Sequence, residues 1–382
     1  MKSEQIVVKK PQVAAADVSK LAAINPQLVF AFGSIEHFKS PGFGPMMKST
    51  FPNATVIGCT TAGEISNKGV TDNTTVFTAI HFDNPTIKST AAKLTGADNC
   101  FQTGGEIARS LKTNDLKAVF VLGQGINVNG TPLVDGIRSV VGQNVVITGG
   151  LAGDGGAFKE TYTLLNGEVS NGHVVAFGLY GDGVEISYGS LGGWKPFGPA
   201  RRVTKSVNNV LFELDGEPAL AVYKKYLGED AKGLPASGLR YPFAILNDNE
   251  AETGLIRTIL AVDEAQGSLT FAGDIPTNGL LRLMHTDSSG LVSGAKGAAT
   301  ATRKASKNQE GVGILISCVG RKLVMGDDID EEVEAVQEAF GEDSVVTGFY
   351  SYGEICPMEG FSECKLHNQT MTITWFADKK AG

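Results

Sequence analysis

The sequence has few of the features that mark secreted, disulfide-bonded or membrane-spanning proteins. Its five cysteines among 382 residues are odd in number and sparse, which fits reduced thiols rather than a disulfide framework. The N-terminus does not contain the apolar run of ~7 to 15 residues found in signal peptides. No uncharged apolar run approaches the ~20 residues of a membrane span. We therefore expect a cytoplasmic protein without membrane insertion.

Basic residues are too few and too scattered to form a nucleic-acid footprint. The chain has 33 lysines and arginines against 41 aspartates and glutamates, and its net charge is −8. Glycine, in contrast, is abundant, since 48 residues are nearly double the usual share of ~7%. The glycine content therefore predicts many turns or close backbone contacts. The charge distribution predicts a globular protein that does not bind nucleic acid.

Two loops near opposite ends of the chain share the pattern G-x-x-[TS]-x-G-E-I. They are residues 58–65 and residues 348–355, and we call them the GEI loops. Each follows a short β-branched run, so each is predicted to be a strand that enters a glycine-bounded loop. The loops carry the carboxylates Glu64 and Glu354. Two matching junctions predict two halves built on one plan, with these loops as the first place to look for a site.

The order of predicted elements supports this duplication. Residues 27–82 and residues 313–376 both follow the order strand, crossover, strand, loop, strand, and a weaker echo of it occupies residues 117–154. The pattern predicts an α/β fold, tending to α+β, of two related halves with mixed β-sheets covered by helices. Parallel strands joined by right-handed crossovers are the natural pairing of such units.

Other local patterns predict a boundary, a hairpin and a helix. Glycines and prolines cluster in residues 192–199, which predicts an N-terminal domain of residues 1–200 and a C-terminal domain of residues 201–382. The Gly181-Asp182-Gly183 turn predicts a hairpin between the strands on either side of it. Residues 291–305 have helical spacing and are predicted to form an alanine-rich helix rather than a mobile loop.

Several enzyme motifs fail on spacing. Ser351 lies between glycines after a strand, but its spacing is one residue longer than the G-x-S-x-G of hydrolases, and Thr61 takes its place in the first GEI loop. The glycine-rich turns after other strands match neither phosphate-loop nor dinucleotide patterns. A hydrolase or transferase therefore remains only as a minor alternative, and we expect no catalytic residues.

His367 is the most suggestive of the five histidines. It lies at the entry to the last predicted strand, within His367-Asn368-Gln369-Thr370. Cys356 and Cys364 precede it with a spacing that matches no structural zinc site. Two interpretations of His367 remain open, namely a structural histidine bonded to backbone and a ligand to metal or haem iron.

Several ordered stretches resemble the FIST domain family over nearly the whole chain. They are VIGCTTAGEI (56–65), VVITGGLAGDG (145–155), GWKPFGP (193–199), NVLFELDGEPALAVYKKYLG (209–228), LTFAGDIP (269–276), ISCVGRKLVMG (316–326), GFYSYGEICP (348–357) and HNQTMT (367–372). The resemblance implies FIST N-terminal and C-terminal regions and a sensory, ligand-binding protein without a catalytic triad. Chains of about this size resemble the nitric-oxide-sensing haemoproteins of the family, which regulate a separate histidine kinase.

These expectations define a candidate site near the GEI loops and the HNQT segment, residues 367–370. Glu64 and Glu354 would anchor a polar ligand or cap backbone amides. Arg321 would contact a carboxylate or haem propionate, or pair with a nearby aspartate. The other candidates for ligand contact are Tyr352, His367 and Asn368.

The same resemblance makes haem, with nitric oxide as the signal, the leading hypothesis for the ligand, and His367 is the candidate ligand to its iron. The chain has no C-x-x-C-H motif, so the haem would be attached non-covalently. The alternative is a small polar metabolite, such as an amino acid, bound without haem.

Overall fold

The protein is described by a computed structural model that covers residues 1–306, 308, 310–341, 344–357 and 364–379. Within these residues, the chain forms three six-stranded mixed sheets and one eight-stranded sheet, with helices packed against them. This architecture confirms the predicted α/β class with mixed sheets covered by helices. The chain is best followed as a first, second and third unit, with an inserted unit that interrupts the third.

The first unit comprises residues 1–81, and its elements alternate between short helices and strands. They are β1 (Lys2–Val8), α1 (Ala15–Val18), a 3₁₀ turn (Ser19–Ile24), β2 (Leu28–Gly33), α2 (Ile35–Lys39), α3 (Phe43–Thr50), β3 (Thr55–Thr60), β4 (Glu64–Ser66), β5 (Gly69–Thr71) and β6 (Thr75–His81).

The second unit comprises residues 86–180. Its elements are β7 (Thr86–Lys93), a 3₁₀ turn (Ala97–Asn99), α4 (Cys100–Leu111), β8 (Leu116–Gly123), α5 (Gly130–Val141), β9 (Val146–Leu151), β10 (Thr163–Leu165), β11 (Glu168–Ser170) and β12 (His173–Tyr180).

The third unit begins with one strand, after which the inserted unit follows as residues 195–285. These elements are β13 (Val184–Leu191), β14 (Lys195–Val207), β15 (Val210–Leu214), β16 (Glu217–Pro218), α6 (Ala219–Leu227), 3₁₀ turns (Gly228–Gly233 and Ala236–Arg240), β17 (Phe243–Leu246), β18 (Glu252–Arg257), β19 (Ile259–Asp263), β20 (Ser268–Phe271) and β21 (Leu280–His285).

The third unit then resumes with a long helix and runs to residue 378. Its remaining elements are α7 (Ser288–Ala305), β22 (Val312–Cys318), α8 (Val319–Met325), a 3₁₀ turn (Gly326–Asp328), α9 (Ile329–Phe340), β23 (Val345–Ser351), β24 (Gly353–Pro357), β25 (Cys364–His367) and β26 (Met371–Asp378). The helix predicted for residues 291–305 is thus present as α7, and the Asp287 carboxylate accepts from the Gly290 N–H at its start.

One strand plan recurs in all three six-stranded sheets. Each has a parallel pair joined by a helical crossover, and these pairs are β2 with β3, β8 with β9, and β22 with β23. The first strand of each pair is flanked by an antiparallel strand, which is β6, β12 or β26. The duplication predicted from the GEI loops is therefore present, and the weaker echo at residues 117–154 belongs to a third copy.

Each unit donates a hairpin to the sheet of another unit. Hairpin β4–β5 of the first unit pairs with β23 of the third, and β24–β25 of the third pairs with β9 of the second. Hairpin β10–β11 of the second unit pairs with β3 of the first, which closes the ring. The three units are therefore interlocked, and none has a complete sheet of its own.

The predicted hairpin around residues 181–183 is wrong. Strands β12 and β13 follow one another in the chain, but they lie in different sheets, beside β8 and β26 respectively. The turn passes the chain from the second unit to the third. A glycine-bounded turn has the same composition whether it reverses the chain within one sheet or carries it into the next.

A close approach between parallel strands explains three glycines. At Gly58, Gly149 and Gly348, a Cβ atom would lie 2.0, 1.8 and 1.8 Å from a backbone carbonyl oxygen of the neighbouring strand. These oxygens belong to the first strand of the parallel pair in each unit. The first glycine of the GEI pattern is therefore required by packing, as is its counterpart in the second unit.

Aromatic side chains fill the space where the three sheets meet. Phe120 lies 5.4 Å from both Phe30 and Phe177 and 6.4 Å from Phe376, measured between ring centroids. Phe32 lies 4.8 Å from Phe349. All six of these phenylalanines come from strands of the three units and are buried. The apolar core is therefore shared among the units, which joins them into one folded body.

The inserted unit has its own small core beneath α6 and the eight-stranded sheet. It enters the chain through residues 192–194, inside the glycine and proline cluster of residues 192–199 from which a boundary was predicted. The division into domains of residues 1–200 and 201–382 stays a prediction, because the strands of the third unit come from both sides of it.

Candidate functional site

The GEI loops and their counterpart in the second unit form a ring of backbone hydrogen bonds. The Ala62 N–H donates to the Tyr350 carbonyl over 2.8 Å, and the Gly153 N–H donates to Thr60 over 2.8 Å. The Tyr352 N–H completes the ring through the Leu151 carbonyl at 3.2 Å. The equivalent positions of the three loops thus bond to one another, so the loops join the units.

Glu64 is buried within its own loop. Its carboxylate accepts from the Thr61 hydroxyl at 2.6 Å, from the Thr74 hydroxyl at 2.8 Å and from the Thr74 N–H at 3.1 Å. Burial raises the pKa of Glu64 to about 7. The carboxylate therefore ties the loop to the start of β6, which is the amide-capping role.

Glu354 repeats this arrangement in the third unit. Its carboxylate accepts from the Ser351 hydroxyl at 2.7 Å and from the Thr370 N–H at 3.3 Å, and burial raises its pKa to about 8. Ser351 is fully buried and donates to a carboxylate, as does Thr61. Neither hydroxyl is placed as an exposed nucleophile, and neither glutamate lines a cavity described below.

The raised pKa values of Glu64 and Glu354 predict that the free energy of unfolding falls as pH rises. Folded-state pKa values near 7 and 8 exceed the ordinary 4.5, so their contribution is complete below about pH 4.5 and is lost as pH rises through 7 and 8. Between pH 6.5 and 8.5, the free energy of unfolding should fall by on the order of 3 kcal/mol.

Urea denaturation across this pH range tests the expectation. The double variant Glu64→Gln/Glu354→Gln should lose most of the slope, whereas Glu331→Gln on the exposed face of α9 should keep it. An identical slope in the double variant and the unchanged protein would contradict the assignment.

Arg321 is fully buried and is held by the protein. Its Nε and Nη2 donate to the Glu332 carboxylate at 3.1 and 2.7 Å, and its other N–H groups reach the carbonyls of Gly192, Leu291 and Gln369. All three guanidinium nitrogens are therefore used. The structure thus places Arg321 in a buried ion pair, the second of the two roles considered above, but its partner is Glu332 and not the predicted aspartate.

Tyr352 lies apart from the HNQT segment. Its hydroxyl bonds to the Asp154 carboxylate and accepts from the Gly156 N–H at 3.0 Å. Its ring stacks on Phe158, with 4.1 Å between the ring centroids. Tyr352 faces a cleft between the second unit and the inserted unit, whereas His367 lines a different cavity.

His367 is 1% exposed, and its tautomer follows from its neighbours. Nε2 lies 2.9 Å from the Cys356 carbonyl oxygen, which can only accept, so Nε2 carries the proton. Nδ1 is then an acceptor, and it has no hydrogen-bond partner among the described residues. Burial lowers the pKa of His367 to about 4, so the ring is neutral at pH 7.

Asn368 and Gln369 resemble His367 in that the side-chain donor has a partner and the side-chain acceptor has none among the described residues. The Asn368 amide donates to the His367 carbonyl at 2.9 Å, and the Gln369 amide donates to the Leu239 carbonyl at 3.1 Å. Their side-chain oxygens, Oδ1 and Oε1, are buried without partners among the described residues. Three successive side chains thus give their donors to carbonyl groups and leave an acceptor without a partner.

The cavity beside His367 has a volume of about 270 Å³ and lies between the third unit and the inserted unit. We call it the His367 cavity. Trp194 forms part of its wall, and its indole N–H donates to the Gln369 carbonyl at 2.8 Å. Among the described residues, the lining comprises Ser190, Leu191, Gly192, Gly193, Trp194, Glu252, Thr253, Gly254, Ile256 and His367.

Part of this cavity is predictable from the sequence. His367 was among the predicted site residues, and Asn368 follows it directly, but Trp194 and Glu252 were not selected. Trp194 does lie in the GWKPFGP stretch that carries the family resemblance, which was the available signal. For Glu252 no sequence signal existed, since β18 brings it to the cavity from the inserted unit.

The described residues form neither a metal-binding cluster nor a membrane-spanning helix. No group of three or more histidine, cysteine, aspartate or glutamate side chains in the described residues could hold a metal ion. No helix in the same part of the chain is long and apolar enough to cross a bilayer. A single axial histidine for haem is a separate matter, because it needs no cluster.

Comparison with known proteins places most of the chain in one family. The FIST N domain matches residues 27–217, and the FIST C domain matches residues 219–357. The uncharacterized protein MJ1623 of Methanocaldococcus jannaschii is 26% identical over 367 residues, which covers 86% of this chain and 69% of that protein.

A solved structure of cyanuric acid hydrolase from A. caulinodans covers 99% of both chains with a TM-score of 0.41 and 9% identity. That likeness is too weak to support an argument about the fold or the reaction.

Proposed function

Because the chain belongs to the FIST family, whose domains are ligand-binding sensors of signal transduction, we propose that it senses a small amine-bearing metabolite. Amino acids are the first candidates, and the proposed binding site is the His367 cavity. The observation that carries this proposal is the buried, unprotonated Nδ1 of His367, which has no hydrogen-bond partner among the described residues. An unsatisfied buried acceptor costs ~1–3 kcal/mol, which a ligand donor would recover.

The chemistry of the neighbouring groups supports a ligand that donates hydrogen bonds. His367 lines the cavity and has an acceptor, Nδ1, without a partner among the described residues, and the exposed carboxylate of Glu252 adds negative charge to the lining. The described lining contains neither lysine nor arginine, so a purely anionic ligand has no cationic partner there. An ammonium group matches both the acceptor and the carboxylate.

The position of the cavity supports a sensory role. Ser190 and His367 belong to the third unit or its hairpin, whereas Thr253 belongs to β18 of the inserted unit. A ligand between them would favour one relative placement of the two bodies, and allosteric coupling is typically ~1–3 kcal/mol. The proposed output is contact with a separate signalling protein, for which a histidine kinase is the candidate.

Thermal denaturation with a panel of amino acids and small amines tests the proposal. A true ligand at about 100 times its Kd should stabilise the protein by ~2.7 kcal/mol. His367→Gln can keep the amide donation to Cys356 but lacks an acceptor at the Nδ1 position, so it should weaken binding by about tenfold or more. His367→Asn is the matched control because its Oδ1 can restore that acceptor.

Two results would count against the amine proposal. One is a panel in which no compound stabilises the protein. The other is a ligand whose affinity is unchanged in His367→Gln, which would place its binding site elsewhere. His37→Gln controls for loss of a buried imidazole, since both nitrogens of His37 already have protein partners.

Haem on His367 is supported by the donor atom but not by the cavity. The neutral Nδ1 offers a lone pair suited to an axial ligand. The volume of about 270 Å³ lies below the ~300–1,000 Å³ of pockets for drug-sized ligands, and serine, threonine, glycine and glutamate make up much of the described lining. A porphyrin needs a larger apolar slot, so the described residues do not fit it. A haem titration that produced a His367-dependent Soret band would favour haem over the amine.

A further inference from the structure

A second concave site lies between the second unit and the inserted unit. It has a volume of about 370 Å³, and none of its described lining residues lines the His367 cavity. We call it the Phe158 cleft. Its walls include the Phe158 and Tyr352 rings, the Asn129 and Asn208 side chains, and the apolar Leu260 and Phe271.

Phe158 is held in an unusual position. Half of its surface is exposed, and its φ angle of +53° places a bulky residue in the left-handed region, where such side chains are rare. Its N–H donates to the Asp154 carboxylate at 2.8 Å, which fixes this backbone conformation. A strained residue that the surrounding loop maintains points to a function for its side chain.

The Phe158 ring is also held by stacking on the Tyr352 ring. One face lies on the Tyr352 ring, with an angle of 11° between the ring planes, so the exposed surface of Phe158 is its other face and its edge. Tyr352 is itself fixed, because its hydroxyl bonds to Asp154 and accepts from Gly156. The stack is therefore a rigid aromatic platform that exists before any ligand binds.

The charges around the platform restrict the ligand. The described lining has no lysine, arginine or histidine, and its one carboxylate is the exposed Asp98. A phosphate or carboxylate group would meet no cation there and would be repelled by Asp98. The exposed Asn208 amide can both donate and accept, which suits the edge of a heterocycle.

We propose that the Phe158 cleft binds a neutral planar heteroaromatic ring of the nucleobase class, stacked on Phe158. This site is independent of the amine proposed for the His367 cavity. The cleft nevertheless adjoins the same hairpin, because Tyr352 directly precedes β24 and His367 ends β25. An occupant of the cleft would therefore contact the residue from which that hairpin starts.

Ligand-observed saturation-transfer NMR on the full chain tests the cleft, with adenosine, guanosine and uridine as probes. At least one nucleoside should bind, and its 5′-monophosphate should bind more weakly because of its charge. Phe158→Asn should weaken binding by on the order of tenfold, since it removes the stacking surface. Asparagine tolerates the left-handed backbone, so this variant should keep the loop conformation.

Phe101→Asn is the matched control, because Phe101 is 47% exposed and does not line the cleft. It should bind the nucleoside as the unchanged protein does. Absence of binding by all three nucleosides would overturn the proposal, as would equal binding by Phe158→Asn. A monophosphate that binds as tightly as its nucleoside would overturn the assignment of a neutral ligand. None of these outcomes bears on the amine panel for the His367 cavity.

Discussion

Gly348→Ala is expected to lower the free energy of unfolding by more than about 4 kcal/mol, a loss that few single substitutions reach. The added Cβ would lie 1.8 Å from the Leu315 carbonyl oxygen, which belongs to the paired strand β22. Backbone on both sides of this contact is buried in a sheet, so neither strand can move away without breaking its ladder. Urea denaturation followed by circular dichroism measures the loss.

The same substitution at Gly58 and Gly149 should have a similar effect, because the three positions are equivalent in the three units. Gly172→Ala is the matched control, since a Cβ there meets nothing within 4 Å. It should change the free energy of unfolding by less than about 1 kcal/mol. A Gly348→Ala protein as stable as the control would show that the parallel strands do not approach as described.

Arg321→Met is expected to cost about 3–5 kcal/mol of stability, because it leaves the buried Glu332 carboxylate without its cation. Within the described part of the chain, Glu332 would keep only hydroxyl donors, from Ser317 at 3.0 Å and Tyr350 at 2.6 Å. Carbonyl groups that now accept from Arg321 would also lose a donor. A structural role predicts this loss of stability, whereas a ligand contact predicts a loss of binding in a stable protein.

A double-mutant cycle separates these outcomes. Arg321→Met/Glu332→Leu should lose less stability than the sum of the two single variants, because it leaves no unpaired buried charge. Lys225→Met, which breaks an exposed pair with Glu217, should cost no more than about 1 kcal/mol. An additive double variant would contradict the coupling of Arg321 with Glu332.

The repeated plan of the fold could be recognised from sequence where both GEI loops kept their pattern. In the second unit, Gly149 keeps its place, but Asp154 replaces the second glycine and Gly155 replaces the glutamate. The sequence of the second unit therefore matches the repeated pattern only weakly. Its Asp154 carboxylate instead accepts from three backbone N–H groups of the longer loop that positions Phe158.

The exchange of hairpins between units could not be predicted from local patterns. Strand β4 follows β3 closely in the chain, yet it pairs with β23 nearly three hundred positions away. Propensity and alternation identify a strand and its faces, but they carry no information on which sheet edge is free. The same limit explains the incorrect hairpin at residues 181–183.

From the sequence, the candidate site could be predicted only where its residues lie together in one segment of the chain. The HNQT segment was selected because hydrogen-bonding side chains gather before a strand, and His367 does line a cavity. The buried ion pair of Arg321 depends on Glu332, which lies one helix later, and on carbonyls from three other segments. Such contacts exist only after folding, so an arginine in the sequence could not reveal whether its donors were free.

The most direct test of the account is the ¹⁵N NMR spectrum of the His367 imidazole during titration with the amine selected by the thermal panel. We predict a free protein with Nε2 protonated and Nδ1 unprotonated. The Nδ1 resonance should shift on binding, while those of His37 and the other histidines stay in place. A protonated Nδ1 in the free protein, or an Nδ1 resonance that does not move at saturation, would contradict a ligand site at His367.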